Sequence, residues 1–277
     1  MKLHHTANRN SSVLHEVTPE SAGWQHLSFK VLKLEVGESH IGNSRGCEEL
    51  IVFVSGAARA IVGSQEFEIS GRESVFSGLP NVLYLPPNSS YTITATSPLE
   101  FSVGGAPATG LYPVRLYLPH EFQTEMRGGA NVTRQIVHLS LEPVLTEKLF
   151  VFEVYSPSGN WSGFPPHRHD GREGSSYLEE TYYFKITPEN GFGVFRIYTK
   201  DTDLDEVMIT RDSDLVLVPE GYHPGTTAPG SNLYFLNYLA GPTREYTVKN
   251  DPDYDWVKDA WTGNALELPI KALSREP

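Results

Sequence analysis

Cysteine is almost absent: Cys47 is the single one in a chain of 277 residues. No internal disulfide can form, and the scarcity fits a reducing cytoplasm. No histidine lies near Cys47 in sequence, so a filler at a turn or a partly buried thiol is expected rather than a nucleophile. Long apolar runs are missing too. The start, MKLHHTANRNSSVLHEV, has no hydrophobic segment of the kind that directs export, and nothing later approaches a membrane span. The sequons at Asn10, Asn88, Asn131 and Asn160 are therefore expected to stay unused. Basic residues are few: 22 Lys and Arg against 34 Asp and Glu leave a net charge of −12. That balance argues against nucleic acid or an anionic membrane surface as a partner, though not against a locally basic pocket. No GxGxxG segment follows a strand, so no dinucleotide redox cofactor is expected.

What the chain has instead is turn formers and aromatics: Gly 24, Pro 20, Tyr 14 and Phe 13 favour strands and tight turns over long helices. The length suits two domains, and two β-rich halves can be drawn. The first runs through SFKVLKLEVG, EELIVFVSGAARAIVG, QEFEIS, NVLYLPPNSSYTITA and LEFSVGG; the second through LFVFEVYSPSG, EETYYFKIT, FGVFRIYTK, DLVLVPEGYHP and NLYFLNYLAG. In both, short alternating or apolar runs end at Gly, Pro, Asn or Asp, the rhythm of an antiparallel sandwich or small barrel. NVLYLPPNSSY and DLVLVPEGYHP correspond most closely, with Ser89, Ser90 or Tyr91 where the second half has His223. The reading is an all-β chain of two tandem barrels with few short helices, an internal duplication whose first copy is degenerate. Residues 1–118 form the first unit and 119–277 the second, joined by a connector around residues 107–140. In the tail, NDPDYDWVKDAWTG is expected to be a short helix or docked loop with Trp256 and Trp261 as packing anchors.

His167, His169 and Glu180, with His223 further on, read as one divalent-metal site. Residues two apart on a strand share a face, so His167 and His169 point inward while Arg168 points out. A neighbouring strand brings Glu180, and the turn in VPEGYHPG brings a third imidazole. Three neutral imidazoles and a carboxylate suit Zn²⁺ or Mn²⁺ foremost, and also Fe²⁺ or Ni²⁺, better than Ca²⁺ or Mg²⁺. Glu179 competes for the carboxylate position. Glu180 is preferred because it leaves Tyr182 and Phe184 inward, with Thr181, Tyr183 and Lys185 outward.

GNWSGFPPHRHD, LEETYYF, the FRIYT strand, VPEGYHPG and the tail NDPDYDW, in that order, resemble the 5-deoxy-glucuronate isomerase family of myo-inositol catabolism, within the cupin superfamily. The generic cupin spacing is not met, since ten residues separate His169 from Glu180 and one stands between Gly221 and His223. The resemblance implies a bicupin of two jelly-roll barrels, with His167, His169, Glu180 and His223 as metal ligands. It implies an aldose–ketose isomerase, an intramolecular oxidoreductase working through an enediolate on a sugar acid. Arg134 and Arg196 are the candidates for the substrate carboxylate, and Tyr182 and Tyr238 for the pocket lining. The general base is left open among metal-bound hydroxide, Glu179, Asp170 and an inward tyrosine. A metal-dependent dioxygenase and a non-catalytic sugar-acid-binding bicupin are the rival functions, and exposed sheet edges allow a homo-oligomer.

Overall fold

Apolar residues at every second position, broken by Gly, Pro, Asn and Asp, fold into antiparallel strands throughout the computed structural model, which describes residues 1–262. The one α-helix among these residues is the four-residue turn Pro19–Ala22, capped by the Thr18 side chain; the other helical pieces are 3₁₀ segments. No helix among the described residues is long and apolar enough to cross a membrane.

The first barrel uses β1 (Ser28–Leu34), β2 (Ser39–Asn43), β3 (Cys47–Val62), β4 (Val82–Leu85), β5 (Ser90–Ala95) and β6 (Leu99–Pro107). The second uses β7 (Gln123–Arg127), β8 (Arg134–His138), β9 (Phe150–Ser156), β10 (His167–Arg168), β11 (Glu179–Thr187), β12 (Gly193–Tyr198), β13 (Leu215–Val218) and β14 (Asn232–Ala240). The duplication is visible in the strand order: β4-β3-β6-β1 in one sheet matches β13-β11-β14-β9 in the other. The connector is not a loop, because β7 and β8 lie within it and extend the second sheet as a hairpin. The extreme N-terminus departs from the unit drawn as 1–118: the short strand His4–His5 pairs with Leu215 and Val216 of the second barrel.

Each barrel has its own core, and a third core lies between them. Ile51, Phe53, Ile93 and Phe101 fill the first barrel, while Tyr182, Phe184, Phe195 and Phe235 fill the second. Leu27, Phe29, Val52 and Tyr84 meet Val151, Tyr183, Leu217 and Tyr234 across the interface. The alternation on β11 is as the sequence predicts, with Tyr182 and Phe184 inside and Tyr183 on the opposite face. That opposite face meets the other barrel rather than water, and Thr181 and Tyr183 are fully buried.

Two buried glutamates clamp this interface reciprocally. Glu179, at the start of β11, accepts the backbone N–H groups of Gln25, His26 and Leu27 at 2.7, 2.9 and 2.8 Å. Glu48, at the matching place on β3, accepts those of Glu147, Lys148 and Leu149 at 2.7, 2.6 and 2.8 Å. Each carboxylate satisfies the amides that lead into a strand of the opposite barrel, β1 or β9. The tail is the 3₁₀ segment Pro252–Thr262. Trp256 is not an anchor there: it is 65 % exposed, and Val257 is the buried residue. The side chain of Trp261 lies outside the described residues.

Candidate metal centre and substrate pocket

His167, His169 and His223 each offer a ring nitrogen, and the three atoms lie within 4.8 Å of one another. Glu180 completes the group, with Oε2 2.9 Å from His169 Nε2 and 3.2 Å from His223 Nε2. The Nδ1 atoms of His169 and His223 sit 3.0 and 2.9 Å from the carbonyl oxygens of Leu178 and Gly221. A carbonyl can only accept, so both rings donate from Nδ1 and turn Nε2, the atom a metal would take, to the centre. Lone pairs and a carboxylate converging in a buried space are a donor set that calls for a cation, and His223 Nε2 has no hydrogen-bond partner. The residues therefore fit a divalent metal of the kind imidazoles prefer.

The electrostatics favour a neutral His167 beside an ionised Glu180 carboxylate. Burial, followed by the neighbouring His223 and His169, pushes His167 well below the ordinary histidine range. Burial opposes ionisation of Glu180, yet His169 and His223 hold its carboxyl at about 2. Burial also disfavours a charged His169, but the Glu180 carboxylate outweighs it and raises that ring.

The surrounding chain fixes these rings. β10 pairs with Lys249 and Asn250, and Asp251 N–H donates to Pro166 O at 2.7 Å. Arg168 points away from the centre, as alternation requires, but it is 1 % exposed. It donates to Asp170 at 2.7 Å and lies over the Tyr222 ring at 5.1 Å. Asp170 Oδ2 in turn accepts Gly221 N–H at 2.8 Å, tying the His-x-His strand to the turn that carries His223. Gly221 has φ +84, and a Cβ there would lie 2.4 Å from Tyr198 O, so the turn admits no side chain. Asp170 and Glu179 are thus both committed to structure and face away from the pocket, which removes them as candidate bases.

A cavity of about 290 Å³ opens beside the centre, lined by His167, Glu180 and Tyr182 together with Arg127, Arg134, His138, Asn237 and Tyr246. Arg127 and Arg134 are register partners on β7 and β8. Burial and the adjacent Arg127 cation bring the Arg134 guanidinium down to about 10, so a bound anion would be welcome there. His138 Nε2 is 3.1 Å from Glu125 Oε1. Phe150, Phe152 and Phe235 supply the apolar wall.

Arg134 and Tyr182 lie where the sequence places them; two others do not. Arg196 stands on the outer face of β12, bound to Asp205 at 2.7 and 2.8 Å, because Phe195 and Ile197 take the inner positions. Tyr238 is buried between the barrels, its hydroxyl 3.0 Å from Ser102 Oγ and donating to Leu50 O at 2.9 Å. On β14 it is Phe235 and Asn237 that face the pocket. Arg127 and His138 escaped the sequence reading because their hairpin looked like a linker. The five-residue alternation Arg134, Ile136, His138 was the available signal.

The comparisons with known proteins agree with this fold. A crystal structure of an IolB-like protein from Salmonella typhimurium LT2 superposes with a TM-score of 0.89 at 36% identity, covering 93% of this chain and 99% of that one. An oxalate decarboxylase from Lactobacillus farciminis superposes with a TM-score of 0.64 at 12% identity, covering 90% of this chain and 88% of that one, a likeness of fold alone. A 5-deoxy-glucuronate isomerase of Geobacillus thermodenitrificans is 42% identical over 260 residues, covering 92% of this chain and 94% of that protein. One from Bacillus subtilis (strain 168) is 35% identical, covering 91% and 95%. The KduI/IolB family model matches residues 1–257, and the chain belongs to that family.

Proposed function

We propose that this protein is a metal-dependent aldose–ketose isomerase that converts 5-deoxy-D-glucuronate to 5-dehydro-2-deoxy-D-gluconate in the cytoplasm, a step of myo-inositol breakdown. The observation that carries this reading is one pocket lined both by His167 and Glu180, which cluster with His169 and His223, and by the cations Arg127 and Arg134. A sugar acid presents a carbonyl with an adjacent hydroxyl at one end and a carboxylate at the other, and the pocket has a counterpart for each. Its relatives' name specifies such a substrate.

The four ligands would hold Zn²⁺ or Mn²⁺, which supplies Lewis-acid polarisation of the carbonyl and neighbouring hydroxyl oxygens. Arg134, buried and planar, grips the substrate carboxylate with Arg127 beside it and thereby fixes which carbons face the ligands. Phe150, Phe152 and Phe235 exclude water from the carbon that loses its proton. Asn237 and Tyr182 stand on the same wall as hydrogen-bonding groups for substrate hydroxyls. The net reaction moves a hydrogen from C2 to C1 and the carbonyl from C1 to C2, with no outside oxidant.

The test is the metal content of the purified protein paired with an anaerobic isomerisation assay on 5-deoxy-glucuronate. About one metal per chain with turnover in the absence of O₂ is the expected result. Turnover that requires O₂ would replace the isomerase with an oxygenase. A protein that takes up no metal on reconstitution would overturn the ligand assignment.

A further inference from the structure

The first barrel retains the outline of the same site in altered form. Glu49 follows the interface clamp Glu48 on β3, as Glu180 follows Glu179 on β11. His40 and Gly42 alternate on the more buried side of β2, a strand that precedes Glu49 as the His167–Arg168 strand precedes Glu180. Where a second imidazole would sit there is no side chain. The Tyr91 ring from β5 occupies that room instead, and a Cβ on Gly42 would lie 2.2 Å from it. A histidine, a carboxyl and a phenol that faces the carboxyl do not make a ring of metal donors. The His167–His169–His223 group is the one such cluster of histidine, cysteine and carboxylate donors among the described residues.

The space has not been filled. A cavity of about 680 Å³ remains, with Ser28, Lys30, His40, Asn43, Glu49 and Tyr91 among its walls, a volume ordinary for a small-molecule site. Its buried charges are neutralised from within, and the further cation on its wall, Arg45, is exposed to solvent. Lys30 Nζ lies 2.7 Å from Glu16 Oε1, and burial pushes the Glu49 carboxyl up to about 7 against the pull of Tyr91 and Lys30. Glu49 Oε2 is buried without a hydrogen-bond partner in the protein, a costly state that a ligand hydroxyl would relieve. Donors and acceptors of mixed type, with no uncompensated charge in the interior, match hydroxyl groups better than an anion.

We propose that this cavity is a metal-independent binding site for a neutral polyol of monosaccharide size, held by Glu49, Tyr91 and His40. The site is separate from the isomerase pocket and shares none of its lining residues.

Calorimetric titration of the metal-loaded, full-length protein with D-glucose, and with D-glucuronate as an anion of matched size, tests this. Binding of D-glucose that survives His223→Ala and weakens about tenfold or more in both Glu49→Ala and Tyr91→Phe is the expected result. Tyr91→Phe keeps the ring that packs against Gly42, so its loss of binding separates a missing hydroxyl from a misfolded barrel. No D-glucose binding, binding indifferent to Glu49→Ala and Tyr91→Phe, or binding abolished by His223→Ala would each overturn the proposal. Preference for D-glucuronate at this site would replace the neutral ligand with an anionic one and refute it as stated.

Discussion

Replacing Glu48 with glutamine tests whether the two barrels are held by the reciprocal carboxylate clamps. Glu48 is fully buried, and its Oε1 takes Lys148 and Leu149 N–H while Oε2 takes that of Glu147. Glutamine keeps one acceptor oxygen, so at best two of the three bonds survive, without the charge that strengthens them. A bond to an ionised acceptor contributes about 1.5–3 kcal/mol and a neutral one about 1 kcal/mol. The third amide then faces an NH₂ group, a donor against a donor. Glu147 is partly exposed and can recruit water, so the whole loss is about 3 kcal/mol rather than the sum of three full penalties. Glu48→Ala leaves the buried Leu149 amide without an acceptor as well and should cost about 5 kcal/mol. Urea unfolding measures both, with the exposed Glu68→Gln as a control that should stay within about 0.5 kcal/mol of the parent. Because Glu179 repeats the same three-amide geometry, Glu179→Gln should cost the same as Glu48→Gln. If Glu48→Gln unfolds within about 0.5 kcal/mol of the parent, the clamp reasoning is wrong.

Other consequences follow from the same contacts. His223→Ala removes one of four ligands and should weaken metal binding by roughly a hundredfold or more, read by competition with a chromogenic chelator; full metal content would refute the site. Arg134→Ala should lower kcat/KM for the sugar acid about a hundredfold, mainly through KM, whereas Arg196→Ala should stay within about twofold because its guanidinium is bound to Asp205 outside the pocket. Equal losses in the two variants would remove Arg134 as the carboxylate clamp. Glu49 is pushed up from 4.5 to about 7 by burial, so the folded state binds its proton more tightly than the unfolded chain does. The stability this brings is complete below pH 4.5, declines as pH rises, and is gone above about 7. The parent should therefore lose about 3 kcal/mol relative to Glu49→Gln across that window, followed by urea unfolding at each pH. A difference between the two proteins that does not change with pH would count against a buried, raised carboxyl.

The parts legible in the sequence were those governed by strand alternation, and the parts that were not depend on what lies beyond the strand. Alternation put His167 with His169 and chose Glu180 over Glu179, and both choices agree with the geometry. It could not say what Glu179 does, because three backbone amides from residues 25–27 leave no trace in a local pattern. The same blindness misplaced Tyr238: a tyrosine on a barrel strand has two faces available, and here the second face is another barrel rather than solvent. Arg196 failed on the alternation itself, since a carboxylate clamp needs the inner face of β12 and Phe195 and Ile197 take it. The hairpin carrying Arg127, Arg134 and His138 was hidden by its composition, GG and scattered charges, which spells linker unless its polar residues serve a pocket. Polar residues at alternate positions inside a barrel are expensive to bury, so a chain keeps them where a ligand repays the cost. By that criterion the His40, Glu49 and Tyr91 group in the first barrel belongs with the pocket residues of the second. An unused copy under selection for stability alone would have closed over those groups with Leu, Val and Phe. A cavity of about 680 Å³ with a carboxyl at its wall is a place where a ligand would offset that cost.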